Sequence, residues 1–185
     1  MAPRAISPRA EARELVEFNR KVFDRYVRRI RRLPWKEADR DRGTGHLSYF
    51  RTLVHILNVQ EVWFVYAIRG RNDEMPALWK DESRHPTDWN GFRPYAQRVW
   101  SGVAATLDAL TDADFDRRVR VPWFRQHYTV RDAVFQATFE EAHHIGELIG
   151  AMWQKDEEPP LMMWIPLLRR AHPLARARRR RGASR

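Results

Sequence analysis

Four stretches of the chain carry apolar residues at helical spacing, separated by segments rich in charge, Gly and Pro. In the first, residues 8–32, Leu15, Val16, Val22, Phe23, Tyr26, Val27 and Ile30 form one stripe. Ser7 is placed to cap this helix, and Pro8 suits its first position, where the missing N–H costs nothing. Arg28, Arg29, Arg31 and Arg32 crowd its end, where cations complement the helix dipole, and Pro34 follows the stop. In the second, residues 45–69, Leu47, Phe50, Leu53, Val54, Leu57, Val62, Trp63 and Tyr66 leave little polar face. That predicts a helix buried between others, with Gly70 as its stop. The third begins near Phe92, carries Tyr95, Val99, Val103, Leu107 and Leu110, and ends at residues 111–114. The fourth, residues 130–155, is opened by Thr129 as N-cap with Asp132 three residues on. Phe135, Phe139, Ala142, Ile149 and Trp153 are its expected apolar contacts.

The connections are long. Residues 36–45 are charged and read as a loop, and residues 70–90 as a structured loop anchored by Met75, Trp79 and Trp89. Between residues 116 and 128, Val119, Val121 and Trp123 alternate with Arg and Pro, which predicts an extended turn or a short hairpin. Residues 157–160 break the last helix, and the apolar residues 161–168 are expected to fold back over the bundle. Four helices of about 20 residues or more with no internal repeat predict an all-α four-helix bundle over residues 1–168. Its long connections admit a topology other than simple up-down.

Composition sharpens this picture in three ways. With 43% hydrophobic residues, 8 Trp, 9 Phe and 5 Tyr, the 185-residue chain has the material for one packed domain. The absence of Cys excludes disulfides, iron–sulfur clusters and a thiol nucleophile. The net charge of +10 is local: residues 169–185 hold eight Arg and no acid, and the remainder has 26 basic against 24 acidic residues. Residues 169–185 read as an Arg-rich, solvated, disordered tail. Non-specific contact with nucleic acid through it is the less favoured reading, because no aromatic residue is interleaved to stack on bases. No signal-peptide core is visible, and the most apolar run, residues 62–68, is far too short to span a bilayer. A cytoplasmic protein without membrane contact is expected.

Candidate chemistry centres on three residues. His55 lies in the middle of the most apolar helix, where an imidazole needs partners for its ring nitrogens. Glu140 and His144, four residues apart, share one face of the last helix and can converge on one cation. A His/Glu/His set leaves open coordination positions, as catalytic zinc does, and also suits iron, nickel or cobalt. Spacing alone equally fits an exposed charge pair and a hydrogen-bonded core histidine. Glu141 and His143 point off that face; Glu141 is a second ligand candidate, and His143 reads as a helix contact. Gly146 and Gly150 read as small residues for tight helix packing, and Trp63, Tyr66 and Trp153 as core or pocket wall. His46, His85, His127 and His172 read as surface residues, and Trp123, Arg125 and His127 could overhang the bundle mouth.

Two segments resemble the DinB/YfiT-like family of bundle proteins. Residues 52–63, Thr-Leu-Val-His-Ile-Leu-Asn-Val-Gln-Glu-Val-Trp, are similar to its second-helix pattern with a single ligand histidine before Glu and Trp. Residues 139–148, Phe-Glu-Glu-Ala-His-His-Ile-Gly-Glu-Leu, stand where the family has His-xxx-His-x-Gly-Gln, followed by a Pro-Pro exit matched by Pro159 and Pro160. By position His55 matches the first ligand, His144 the last, and Glu140 the place of the usual middle histidine. The resemblance implies a divalent metal (Zn, Ni, Fe or Mn) held by His55, Glu140 and His144. It implies either a metal-dependent S-transferase using a small thiol or a hydrolase acting on another small molecule, in a homodimer. The Glu140 departure admits an alternative, a non-catalytic stress or interaction protein with a degenerate site.

Overall fold

A computed structural model describes residues 7–43, 45–75, 85–122 and 124–164. Trp79, Trp123, His172, residues 165–168 of the fold-back piece and the Arg-rich tail 169–185 lie outside the described residues.

Helix α1 spans Pro8–Ile30, and the Ser7 side chain caps it by accepting from the Ala10 N–H. The segment expected to be all loop contains a short helix, α2, Trp35–Ala38. Helix α3, Tyr49–Gln60, begins four residues later than the apolar pattern suggests, because Ser48 accepts from the Arg51 N–H and fixes the start. It continues directly into a π-helical stretch, Glu61–Ala67, where Ile68 N–H bonds back five residues to the Trp63 carbonyl at 2.9 Å. Single π segments of this kind recur at functional sites. Gly70, at φ +73°, ends the element in the left-handed region that glycine tolerates best. Helix α4 spans Trp89–Ala109 and is capped by Asp88, a turn earlier than expected. The chain then forms the hairpin β1 (Arg118–Arg120) and β2 (His127–Thr129), antiparallel with Val119 opposite Tyr128. Helix α5, Val130–Trp153, starts with the expected capping box of Thr129 and Asp132.

In cross-section α1 and α3 both flank α5, and α4 closes the far side against α1, α3 and the π segment. This is the all-α four-helix bundle expected, with one small hairpin at its edge. Its core is the predicted stripe material: Val22, Phe23, Tyr26, Ile30, Leu53, Leu57, Val99, Val103 and Leu107 are all buried. The fold-back also occurs in its described part: Tyr26 donates to the Pro160 carbonyl at 3.0 Å, and Trp164 packs on Phe18 at 5.1 Å between ring centroids.

Helix α5 departs from expectation on one side. Phe139 is 66% exposed and Trp153 56% exposed, so neither contributes to the core. A Cβ added at Gly146 or Gly150 would meet nothing within 4 Å, so these glycines serve no helix packing within the described chain. The reason is geometric. The buried side of α5 follows Ala137, Thr138, Glu141, His144, Ile145 and Leu148, which turns Phe139, Gly146 and Trp153 outward.

Candidate metal centre

The strongest grouping of ligating atoms joins α3, α5 and the loop before α3. His46, His55 and His144 each offer a ring nitrogen, and these nitrogens lie within 4.8 Å of one another. His55 comes from the middle of α3 and His144 from the buried side of α5. The His46 ring stacks on His55 with centroids 3.6 Å apart, and His144 stands edge-on to both, at 4.9 Å and 4.5 Å.

His46 corrects the reading of that residue as a surface histidine. The apolar pattern carried a helix through residue 45, which would point His46 along α3. Instead residues 45–48 form a turn in which Leu47 adopts φ +65°, a conformation unfavourable for a branched L-residue, and the chain brings His46 over His55. A detectable signal existed in the sequence: Ser48 is an N-cap residue, and reading it as one leaves His46 outside the helix.

Glu140 stands beside the imidazoles. Its Oε2 lies 3.7 Å from His144 Nε2, and its Oε1 accepts from the Gln136 amide at 2.7 Å. His144 is held from the other side: its Nδ1 lies 2.9 Å from Glu147 Oε2. Glu141, the second candidate, goes elsewhere. It is 1% exposed in the core, where Gln60 donates to its Oε2 at 2.9 Å. His143 is exposed, with Nε2 3.7 Å from Glu147.

Electrostatics favour neutral rings. Burial, and then the neighbouring imidazoles of His46, His144 and His85, push His55 down to about 3. His46 is lowered as well, by burial and by His144. Both rings therefore stay unprotonated at pH 7, which is the form that binds a cation.

His46 and His55, with Glu140, open on a cavity of about 700 Å³. His46, His55 and Glu140 form part of its lining, with Phe50, Val54, Val62, Trp63 and Phe124 as the apolar portion. Tyr66 and Trp153 take no part in it, whereas Phe124 of the hairpin loop does. His85, also expected at the surface, reaches the same lining and bonds through Nε2 to the Asn58 amide. The volume falls in the range of small-molecule sites.

A helical bundle with a histidine on α3 facing a histidine on α5 is a recognisable class, and comparison with known proteins agrees. Residues 11–148 match the DinB superfamily, and the chain belongs to it. It is also similar to the uncharacterized protein YizA of Bacillus subtilis (strain 168), 26% identical over 141 residues, which make up 76% of this chain and 84% of that protein. No helix among the described residues is long and apolar enough to cross a membrane.

Proposed function

We propose that the chain binds one divalent metal ion through His46, His55 and His144, with Glu140 beside them, and transforms a small molecule held in the adjoining cavity. The observation that carries this reading is the convergence of three imidazoles, two of which, His46 and His55, line a cavity of about 700 Å³ together with Glu140. The donor set fits such an ion: imidazole suits zinc, nickel and iron, and a nearby carboxylate extends the range to manganese. When bound, the ion supplies Lewis acidity that makes a thiol or water acidic enough to react near neutral pH.

The chain's own residues do the rest. Val54, Val62, Trp63 and Phe124 give the cavity an apolar wall that excludes water from a substrate's body. Gln136 holds one oxygen of Glu140, leaving the other toward His144 as an acceptor for a proton. The chain has no thiol, so in a sulfur transfer the nucleophile arrives as a small thiol substrate; in a hydrolysis it is water. The family resemblance accommodates both.

The test is elemental analysis of protein purified without a chelating tag and reconstituted with Zn, Ni, Mn or Fe. About one equivalent of tightly held metal is expected, with affinity falling roughly a hundredfold or more in His55→Ala and His144→Ala. The loaded protein is then assayed for consumption of glutathione, bacillithiol or mycothiol with an electrophile. Failure to hold any of the four metals would refute the reading and favour a non-catalytic bundle.

A further inference from the structure

Glu147 is not explained by the ligand set, yet it touches both halves of it. We propose that Glu147 is the positioning residue of the site: it fixes the His144 ring with Nε2 turned toward His46 and His55, and it seats the turn that delivers His46. This rests on the metal reading above only for its affinity consequence.

The first half follows from hydrogen-bond chemistry. Glu147 Oε2 lies 2.9 Å from His144 Nδ1. A carboxylate offers only acceptors, so the proton of this contact sits on Nδ1. Nε2 is then left with its lone pair, and Nε2 is the nitrogen near Glu140, which lines the cavity. One contact thus selects both the tautomer and the ring orientation that ligation requires. The spacing is favourable, since residues three apart are neighbours on one helix face.

The second half follows from the other carboxylate oxygen. A Cβ at Gly45 would lie 3.4 Å from Glu147 Oε1, an ordinary van der Waals distance, so the turn passes beside that carboxylate, whose charge also acts on the His46 ring. The next residue is His46, stacked on His55. The turn is also fastened at its far end, where Ser48 donates to Asp39 at 2.8 Å. Glu147 is the side chain nearest Gly45, at its near end. A plain helix-surface role, pairing with the exposed His143 at 3.7 Å, would not require the His144 contact.

The experiment uses the intact chain. Long-range ¹H–¹⁵N spectra of the histidine rings in metal-free protein report the tautomer directly. His144 is expected as the Nδ1–H form in the wild type and as a mixture or the Nε2–H form in Glu147→Ala. Zinc competition titrations should show affinity falling about ten- to a hundredfold in Glu147→Ala. Glu147→Gln, which keeps an acceptor oxygen and the side-chain shape, should recover part of the loss and covers the case in which the alanine variant does not fold. Gly45→Val should also weaken zinc binding several-fold, with the His144 tautomer unchanged. An Nε2–H tautomer in the wild type, or unchanged tautomer and affinity in Glu147→Ala, would overturn the proposal. Unchanged affinity in Gly45→Val would overturn its second half. A wild type that binds no zinc while His144 keeps the Nδ1–H form would remove the metal reading and leave the orienting role of Glu147 standing.

Discussion

Glu140 and Glu141 are adjacent in sequence and about 100° apart around α5, and they face two different interiors. Glu140 faces a cavity shared with His46 and His55. Glu141 faces the core, where Gln60 on α3 donates both to it and to the Ala137 carbonyl, and Asn19 on α1 donates to the Thr138 carbonyl. Burial pushes the Glu141 carboxyl up to about 8, against a weaker opposing pull from Asn19 and Arg20. In the core knot, polar groups bond across three helices. In the histidine cluster, rings crowd together with nitrogens directed at one another and an open volume alongside. The two polar clusters on α3 and α5 therefore differ in kind: the first ties helices together, and the second gathers imidazole donors beside a cavity, the arrangement on which the proposed metal site rests.

Truncating each carboxylate in turn should separate the two sites by the widest margin. Glu141→Ala should cost on the order of 3 kcal/mol in urea unfolding, since it removes a buried hydrogen-bond partner and leaves a void. Glu140→Ala should cost less than about 0.5 kcal/mol in metal-free protein. Equal costs would show that the two sites are not different in kind.

A pH series separates them by sign. The folded-state pKa of His55 is depressed, so its contribution is greatest above about 6.5 and is lost as pH falls toward about 3. That of Glu141 is raised, so its contribution is present below its ordinary value of 4.5 and is lost as pH rises toward about 8. Each limb has a slope of at most about 1.4 kcal/mol per pH unit, less for His55 because its partial exposure weakens the effect. In metal-free protein, the stability difference between wild type and Glu141→Gln should thus change between pH 4.5 and 8. That between wild type and His55→Asn should change between pH 6.5 and 3. Unfolding free energies across pH 3–8 check both, and a pH-independent Glu141→Gln difference would contradict the buried-acid assignment.

A smaller effect tests the turn. Ser48→Ala removes the cap of α3 and the bond to Asp39, and should cost about 1 kcal/mol. It should also weaken metal binding through His46 without touching a ligand. Smallest of all, Phe139→Gln should shift unfolding by less than about 0.5 kcal/mol, because that ring lies outside the core.

The helices were legible because their signals are local. Ser7, Asp132 after Thr129, Gly70 and the apolar stripes each act within a turn of themselves. His55 and His144 were legible as a facing pair because each sits in a strongly periodic segment. His46 was not, because its place depends on a turn with an unfavourable φ at Leu47, fastened by Asp39 and running beside Glu147, neither of which a short window contains. The exposed side of α5 was misread for a related reason. Phe139 and Trp153 are apolar, but the polar Thr138, Glu141 and His144 are the residues turned inward, so hydrophobicity alone picked the wrong face. Buried polar residues reverse the usual pattern where an interior is built for hydrogen bonds or ligation.

In the proposed site, a histidine from the turn before α3 joins one histidine from each of two helices. Calorimetric titration of zinc into the full chain and into His46→Ala tests it most directly. About one zinc per chain in the wild type, with affinity reduced at least tenfold in His46→Ala and no loss of helical content, is the expected result. Equal zinc affinity in the two proteins, or no binding by either, would contradict it.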